Sequence, residues 1–300
     1  MNFGDRVAGA VRARESHLLL GLDPDPADLL PAAARAAAGD SPAELAATAV
    51  AAHCRALIDA AGEACAGVKL QLACFERLGA PGAAALAAVA AHARGAGLLV
   101  VADGKRGDVP HTAAAYAQSL LGATETPWGT VPGLGADAVT ANPLLGRDAL
   151  EPLVTAARAA GAGVFVLVRT SNPGAAEIQD VSPGGGPPLR DRLAALVAEL
   201  GADGVGDEGL SDVGAVVAAT EPSLLAALRE RMPQAVFLLP GVGAQGGRVE
   251  DLAPAFGGHF AGALITASRT IARAALDAGD AAAARPAAEE IRAAAWAAAA

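Results

Sequence analysis

Short apolar runs alternate with longer alanine-rich segments along this chain, and this alternation constrains the fold more than any other feature. The runs are rich in Val, Leu and Ile and have the length of β-strands. Eight of them lie at residues 17–22, 66–70, 98–103, 138–141, 164–169, 214–219, 236–240 and 263–266. Successive βα units predict a parallel sheet, and eight units predict an α/β protein with a single closed (β/α)8 TIM barrel. A doubly wound open sheet is the structural alternative.

Helical spacing is clearest in five of the alanine-rich segments. They are Pro42 to Ala61, Ala83 to Ala96, Thr112 to Leu121, Arg147 to Ala160 and Leu189 to Leu200. Ser41 is a candidate N-cap for the first segment, because its hydroxyl can accept a hydrogen bond from a backbone N–H of the first turn. The Gly- and Pro-rich stretches at 124–135 and 182–188 are predicted to be loop excursions, since the βα pattern resumes after each. We therefore expect one barrel domain over residues 1–300.

Composition argues against several classes of protein. A formal charge of −10 and a pI near 4.9 disfavour a nucleic-acid surface, which needs clustered cations. Three cysteines without a CxxC pair argue against a disulfide framework and a zinc site. Charged residues interrupt the alanine-rich stretch 281–300, so it lacks the apolar span that crosses a bilayer. The apolar run at 18–20 is too short for the core of a signal peptide, and we expect a cytoplasmic location.

Lysine is almost absent from this chain. Among 22 Lys and Arg residues, only Lys69 and Lys105 are lysines. An arginine is effectively never deprotonated, whereas a lysine ammonium can donate a proton. Both lysines lie at the ends of predicted strands, and this placement indicates a role that needs an ammonium group.

Polar residues follow nearly every predicted strand. In a TIM barrel the chemistry takes place at the carboxyl ends of the strands, so these residues are expected to surround one mouth of the barrel. They are Asp23, Lys69, Asp103, Lys105, Asn142, Ser171, Asn172, Gln245 and Arg269.

The densest cluster of charge is the hexapeptide Asp-Gly-Lys-Arg-Gly-Asp at 103–108. The two-residue period of a strand places Asp103 and Lys105 on one face, while Gly104 and Gly107 allow a close turn around a ligand. Flanking carboxylates favour the charged form of the lysine. A solvated turn is the alternative interpretation of this segment alone.

Two further segments have the properties of ligand-binding loops. The glycine-rich stretch 240–247 exposes backbone N–H groups, and with Arg269 after the eighth strand it forms a candidate phosphate site. The segment 170–174, Thr-Ser-Asn-Pro-Gly, offers short polar side chains that can contact the amide edge of a heterocycle, or can form an ordinary capped turn. The histidines show no ligand spacing, and none is assigned a catalytic role.

Taken together, these segments resemble the orotidine 5′-phosphate decarboxylase family, specifically its longer bacterial branch, type 2. The resemblance rests on segments spread over most of the chain. They are Gly21-Leu22-Asp23-Pro24, Val68-Lys69-Leu70-Gln71, residues 103–108, Val139-Thr140-Ala141-Asn142-Pro143, residues 170–174, residues 240–247 and Ser268-Arg269. Gly104 departs from the family pattern, in which alanine is common at this position.

The resemblance implies decarboxylation of orotidine 5′-monophosphate to uridine 5′-monophosphate and CO2, the last step of de novo pyrimidine biosynthesis. It implies no cofactor and no metal. The catalytic residues it implies are Lys105, Asp103, Asp108 and Lys69, with Lys105 as the proton donor. The substrate-binding residues it implies are Asp23 for the ribose together with Lys69, Ser171 for the pyrimidine, Gln245 and Arg269 for the phosphate, and Thr112. It also implies a homodimer in which Asp108 and Thr112 reach into the neighbouring subunit's site.

Two other functions fit some of the same residues. The pattern DxKxxD alone also occurs in relatives that act on sugar phosphates, so a magnesium-dependent enzyme acting on a ketose phosphate is one alternative. A nucleotide-binding protein without catalytic activity is the other. Activity in the presence of EDTA distinguishes the first alternative, and loss of the substrate carboxylate distinguishes the second.

Overall fold

A closed barrel of eight parallel strands forms the centre of the molecule. The computed structural model describes residues 1–243 and 246–299. The strands are β1 (Leu18–Leu22), β2 (Gly67–Gln71), β3 (Leu99–Arg106), β4 (Ala123–Thr126), β5 (Gly129–Pro132), β6 (Ala138–Ala141), β7 (Gly163–Arg169), β8 (Val213–Val217), β9 (Phe237–Leu239) and β10 (Ala263–Ala267). Around the barrel the order is β1-β2-β3-β6-β7-β8-β9-β10. Because β1 pairs with both β2 and β10, the sheet has no edge, and the predicted (β/α)8 fold is confirmed over the doubly wound alternative.

Helices follow the barrel strands and cover their outer surface. The α-helices are α1 (Phe3–Arg14), α2 (Pro31–Arg35), α3 (Pro42–Ala61), α4 (Leu72–Glu76), α5 (Gly79–Gly95), α6 (Pro110–Leu120), α7 (Arg147–Ala160), α8 (Ala175–Gln179), α9 (Leu189–Gly201), α10 (Pro222–Arg231), α11 (Ala253–Phe256), α12 (Arg269–Ala278) and α13 (Ala284–Ala299). Among the described residues, no helix combines the length and apolar character needed to span a bilayer.

Helix α1 packs across the amino-terminal end of the barrel. Its residues Phe3, Val7 and Val11 are buried in one cluster with side chains from inside the barrel. The rings of Phe3 and Phe165 meet edge to face with their centroids 5.8 Å apart. The functional groups at the strand ends therefore lie at the opposite, carboxyl-terminal mouth.

The predicted helices agree closely with the observed ones at α3 and α7, where both bounds coincide. Ser41 caps α3, since its Oγ accepts a hydrogen bond from the Glu44 backbone N–H at 3.3 Å. The stretch predicted as a loop at 124–135 contains the antiparallel hairpin β4–β5, whose residues are largely exposed. The stretch 182–188 contains only a short 3-10 turn at Pro183–Gly185.

Candidate active site

A cavity of about 440 Å³ opens at the carboxyl-terminal mouth of the barrel. Side chains from both the strand ends and the loops that follow them line it. They include Asp23, Lys69, Gln71, Asp103, Lys105, Thr140, Thr170, Ser171, Asn172, Gln179, Ser268 and Arg269. The structure thus brings together six of the predicted site residues, namely Asp23, Lys69, Asp103, Lys105, Ser171 and Arg269.

A larger cavity, of about 880 Å³, lies at the other end of the barrel beside α1. Both of its arginines are already paired, Arg6 with Asp137 and Arg158 with Asp212. The mouth cavity, by contrast, contains the guanidinium of Arg269, which forms no ion pair with any described residue, and both lysines of the chain. We therefore place the candidate site at the mouth.

Three charged side chains form a continuous chain at the ends of β2 and β3. Lys69 Nζ lies 2.8 Å from Asp103 Oδ2, and Lys105 Nζ lies 2.7 Å from Asp103 Oδ1. Asp103 also accepts a hydrogen bond from Thr140 Oγ1 at 2.7 Å. Asp23 extends the chain toward β1, with its Oδ1 3.5 Å from Lys69 Nζ. One buried carboxylate therefore holds two ammonium groups in fixed positions.

The pKa values of these groups follow from their mutual contacts. Burial opposes the charge on Asp103, but the neighbouring Lys69 and Lys105 outweigh it and lower the pKa of this carboxyl to about 2. Burial likewise opposes the charge on Lys69, and the carboxylates of Asp103 and Asp23 overcome it and raise the pKa of the lysine. Lys69 and Asp103 therefore both carry charge at neutral pH.

Lys105 reaches the cavity through an unusual backbone conformation. Its φ is +47°, in the left-handed region, and the pairing of β3 with β6 shifts register between Ala102 and Arg106. The Lys105 N–H donates to Thr140 Oγ1 at 2.9 Å, so the threonine supports both the backbone and the carboxylate of this segment. The side chains of Asp103 and Lys105 meet, as expected of residues on one face, although the strand is not regular at this point.

Asp108 and Thr112 do not line the cavity of their own chain. Asp108 Oδ1 accepts a hydrogen bond from the Val109 N–H at 2.8 Å, and within the described ranges Asp108 forms no ion pair with Lys105. Exposed apolar side chains lie close by in the sequence or at the next strand end, where Val109 is 54% and Leu144 is 76% exposed. The hexapeptide at 103–108 therefore contributes only its first half to the cavity of its own chain.

The part of the cavity that follows β10, next to β1, has groups suited to an anion. Arg269 is the first residue of α12, is exposed, and forms no ion pair with any described residue. The N-cap residue Ser268 makes no capping hydrogen bond, which leaves backbone N–H groups of the first turn available. Ser268 packs so closely against Gly21 that a Cβ there would lie 1.7 Å from its Oγ. Gln245 lies outside the described residues.

Three cavity residues were not assigned a role from the sequence. Thr140 is a buried polar residue inside an apolar strand, and this burial of a hydroxyl is the signal that could have identified it. Gln71 lies at the end of β2, where its Oε1 is 3.4 Å from Lys69 Nζ. Gln179 lies in α8, nine residues after Thr170, which it contacts, and no local pattern reveals it. Within the described ranges, no three His, Cys, Asp or Glu side chains lie close enough together to hold a metal ion.

Comparison with known proteins identifies the family. The family model of orotidine 5′-phosphate decarboxylase / HUMPS matches residues 16–285. The chain belongs to this family. It is 41% identical over 274 residues to orotidine 5′-phosphate decarboxylase of Rhodopirellula baltica, covering 90% of this chain and 88% of the relative. It is 47% identical over 216 residues to the Deinococcus radiodurans protein of the same name, covering 72% and 74% of the two chains.

The fold of a solved family member agrees with the barrel described above. Leishmania donovani OMP decarboxylase superimposes with a TM-score of 0.72 at 34% identity, covering 97% of this chain and 98% of the other. The family predicted from the sequence motifs is thus confirmed. The matched range includes every residue of the mouth cavity, from Asp23 to Arg269.

Proposed function

We propose that this chain decarboxylates orotidine 5′-monophosphate to uridine 5′-monophosphate and CO2, the last step of de novo UMP synthesis. Its family and the names of its relatives support this activity. The observation that carries the proposal is the Lys69–Asp103–Lys105 chain, which places an ammonium at a cavity that also contains Arg269, a group suited to an anion.

Substrate binding uses the two sides of the cavity differently. The phosphate binds at Arg269 and the free N–H groups of α12, with Gln245 as a further ligand. The ribose hydroxyls bind to Asp23 and Lys69. The pyrimidine ring then lies against Lys105 and Ser171, which both line the mouth and follow strands separated by β6 alone.

Decarboxylation breaks the bond between C6 of the ring and its carboxylate. The electron pair stays on C6 as CO2 leaves, and the Lys105 ammonium stabilises this negative charge because it is already held in position by Asp103. Lys105 Nζ then donates its proton to C6, which gives the product. Asp103 repels the substrate carboxylate in the ground state, and binding energy from the phosphate and ribose offsets this repulsion.

The same geometry supports a homodimer with shared sites. Asp108 and Thr112 lie outside the cavity of their own chain, and they are flanked by the exposed apolar side chains of Val109, Leu144 and Leu145. An exposed apolar patch of this kind is typical of an interaction surface. Burying it against a second copy brings Asp108 of the partner subunit to the Lys105 side of the cavity.

An ultraviolet assay of the purified protein with orotidine 5′-monophosphate tests the proposed activity. The absorbance of the orotate ring is expected to convert to that of uracil, in buffer containing EDTA. Lys105→Ala is expected to lower kcat by about a thousandfold, because it removes both the stabilising charge and the proton donor. Arg35→Ala, which removes an exposed cation from α2, is the matched control and is expected to retain full activity.

The alternatives predict different results in the same assay. Turnover that requires magnesium and a sugar phosphate indicates the ketose phosphate enzyme, and nucleotide binding without CO2 release indicates a binding protein. Turnover by Lys105→Ala at the rate of the unmodified protein contradicts the assignment of the proton donor.

A further inference from the structure

The loop after β7 is connected to α8 by a directed chain of hydrogen bonds. The Thr170 backbone N–H donates to Gln179 Oε1 at 2.8 Å, and Gln179 Nε2 donates back to Thr170 Oγ1 at 3.0 Å. Thr170 Oγ1 in turn donates to Asn172 Oδ1 at 2.7 Å. Thr170, Asn172 and Gln179 all line the mouth cavity, together with Ser171.

The orientation of the Gln179 amide follows from the first of these hydrogen bonds. A backbone N–H is only a donor, so the carbonyl end of Gln179 must face Thr170, and the amide NH2 end must face the threonine hydroxyl. That hydroxyl has one proton and lies 2.7 Å from Asn172 Oδ1 but 3.3 Å from Gln179 Oε1, so the shorter contact, with Asn172, takes the proton. Asn172 Oδ1 is therefore occupied by the hydrogen bond that it accepts from Thr170 Oγ1. Its Nδ2 is left as a hydrogen-bond donor with no partner among the described residues.

Gln179 is itself held firmly in place. The next residue, Asp180, forms ion pairs with Arg169 at 3.1 Å and with Arg190 at 2.6 Å. Arg169 is the last residue of β7 and is buried, so the ion pair attaches the end of α8 to the barrel. The hydrogen-bond chain is therefore a fixed feature of the cavity wall.

We propose that Gln179 is a positioning residue that sets the donor pattern of the 170–172 wall and thereby selects a 2,4-dioxopyrimidine over a 4-aminopyrimidine. The inference rests on the proposed function, and it concerns which ring that site accepts. A dioxopyrimidine presents a carbonyl acceptor at position 4 and a donor at N3, whereas a 4-aminopyrimidine presents the reverse. The donor Nδ2 of Asn172 complements the carbonyl, and the hydroxyl of Ser171, which has no hydrogen-bond partner among the described residues, can accept from N3. The same Nδ2 opposes an amino group.

Two variants of similar size test this chain of hydrogen bonds, which we call the Gln179 relay. Gln179→Glu keeps an acceptor for the Thr170 N–H but removes the donated hydrogen bond, so the threonine proton turns toward the carboxylate and Asn172 is free to rotate. Thr170→Val removes the hydroxyl and leaves the backbone contact to Gln179 intact. Glu177→Gln, an exposed position in the same helix, is the matched control.

The measurement is competitive inhibition of decarboxylation by uridine and cytidine 5′-monophosphates. In the unmodified protein and in Glu177→Gln, the uridine nucleotide is expected to bind more tightly. In both Gln179→Glu and Thr170→Val, the ratio of the two inhibition constants is expected to fall by about tenfold, the effect of one hydrogen bond of about 1.4 kcal/mol. A new charge at position 179 weakens both nucleotides alike, so the ratio is insensitive to it.

The outcomes separate the inference from the proposed function. An unchanged ratio in either variant of an active enzyme overturns the relay, because each variant interrupts it. An equal loss of affinity for both nucleotides indicates that Gln179 only supports the loop, and this also overturns it. A protein that does not decarboxylate orotidine 5′-monophosphate removes the proposed function, and the inference with it.

Discussion

Lys105, the proposed proton donor, has a strained backbone. A non-glycine residue with φ of +47° is uncommon, and such conformations cost about 1–2 kcal/mol per residue. The surrounding structure holds it there through the Thr140 hydroxyl and through the ion pair with Asp103. Strain of this kind occurs preferentially at functional sites, where the geometry of one side chain has been favoured over stability.

The strain predicts an inverted ranking of two substitutions at this position. Lys105→Gly is expected to be more stable than Lys105→Ala by about 1 kcal/mol, because glycine adopts the left-handed region without a Cβ clash. Both variants lack the ammonium, so the comparison isolates the backbone. Urea unfolding measures the difference.

Lys69 offers the matched control within the same charged chain. It lies in β2 and is not among the residues with positive φ, so Lys69→Ala is expected to be more stable than Lys69→Gly. Equal stability of the glycine and alanine variants at position 105 contradicts the strain.

The sequence predicted that six of these residues meet at the mouth, but not their geometry. Asp23, Lys69, Asp103, Lys105, Ser171 and Arg269 were predictable because the ends of barrel strands converge at one mouth. The left-handed φ of Lys105 and the hydrogen bonds of Thr140 and Gln179 were not, since they depend on contacts between segments far apart in the chain.

Arg229 joins three elements at the lower rim of the barrel. It is buried, and its guanidinium donates to the carbonyl oxygens of Ala255 in α11, of Met232 and Ala235 after α10, and of Gly262 before β10. Its guanidinium carbon lies 3.8 Å from the ring centroid of Phe237. Burial lowers the pKa of this arginine to about 10, which leaves it charged at neutral pH. Backbone carbonyl oxygens therefore stabilise this cation, which forms no ion pair with a described carboxylate.

Replacing Arg229 with methionine is expected to destabilise the protein by about 3 kcal/mol, because several buried carbonyl groups lose their donors together. Arg231→Met is the control, since this side chain is 49% exposed and pairs with Asp191 at 3.0 Å. Its effect is expected to stay within about 0.5 kcal/mol. Thermal and urea unfolding compare the two, and a change of similar size in both removes the special role of Arg229.

Elements with strong local signals were predictable, and those without them were not. Helix α3 has Ser41 as N-cap and Pro42 in its first turn, and its bounds were predicted correctly. The hairpin β4–β5 was missed because its strands are exposed and lack apolar alternation. The irregularity of β3 was missed for another reason, since a register shift is a property of two paired strands rather than of one.

The proposed shared sites predict how a mixture of two inactive variants behaves. Lys105→Ala and Asp108→Ala are each expected to be nearly inactive, but a mixed dimer contains one site with both residues intact. After complete subunit exchange at equal concentrations, the mixture is expected to recover about a quarter of the original activity, because half of the dimers are mixed and each has one intact site.

A second mixture controls for this effect. Lys105→Ala combined with Lys69→Ala is expected to recover nothing, since both lysines line the cavity of the same chain. Exchange is verified independently by native mass spectrometry of differently sized tags. If the first mixture stays inactive after verified exchange, the shared-site arrangement is wrong.

Helix α1 also determines how molecules travel to and from the reaction. Phe3 and its neighbours close the amino-terminal end of the barrel, so the mouth cavity is reached only from the carboxyl-terminal end. In the proposed reaction, CO2 and uridine 5′-monophosphate therefore leave by the same opening. A segment that covers this opening would consequently control the release rate of both products.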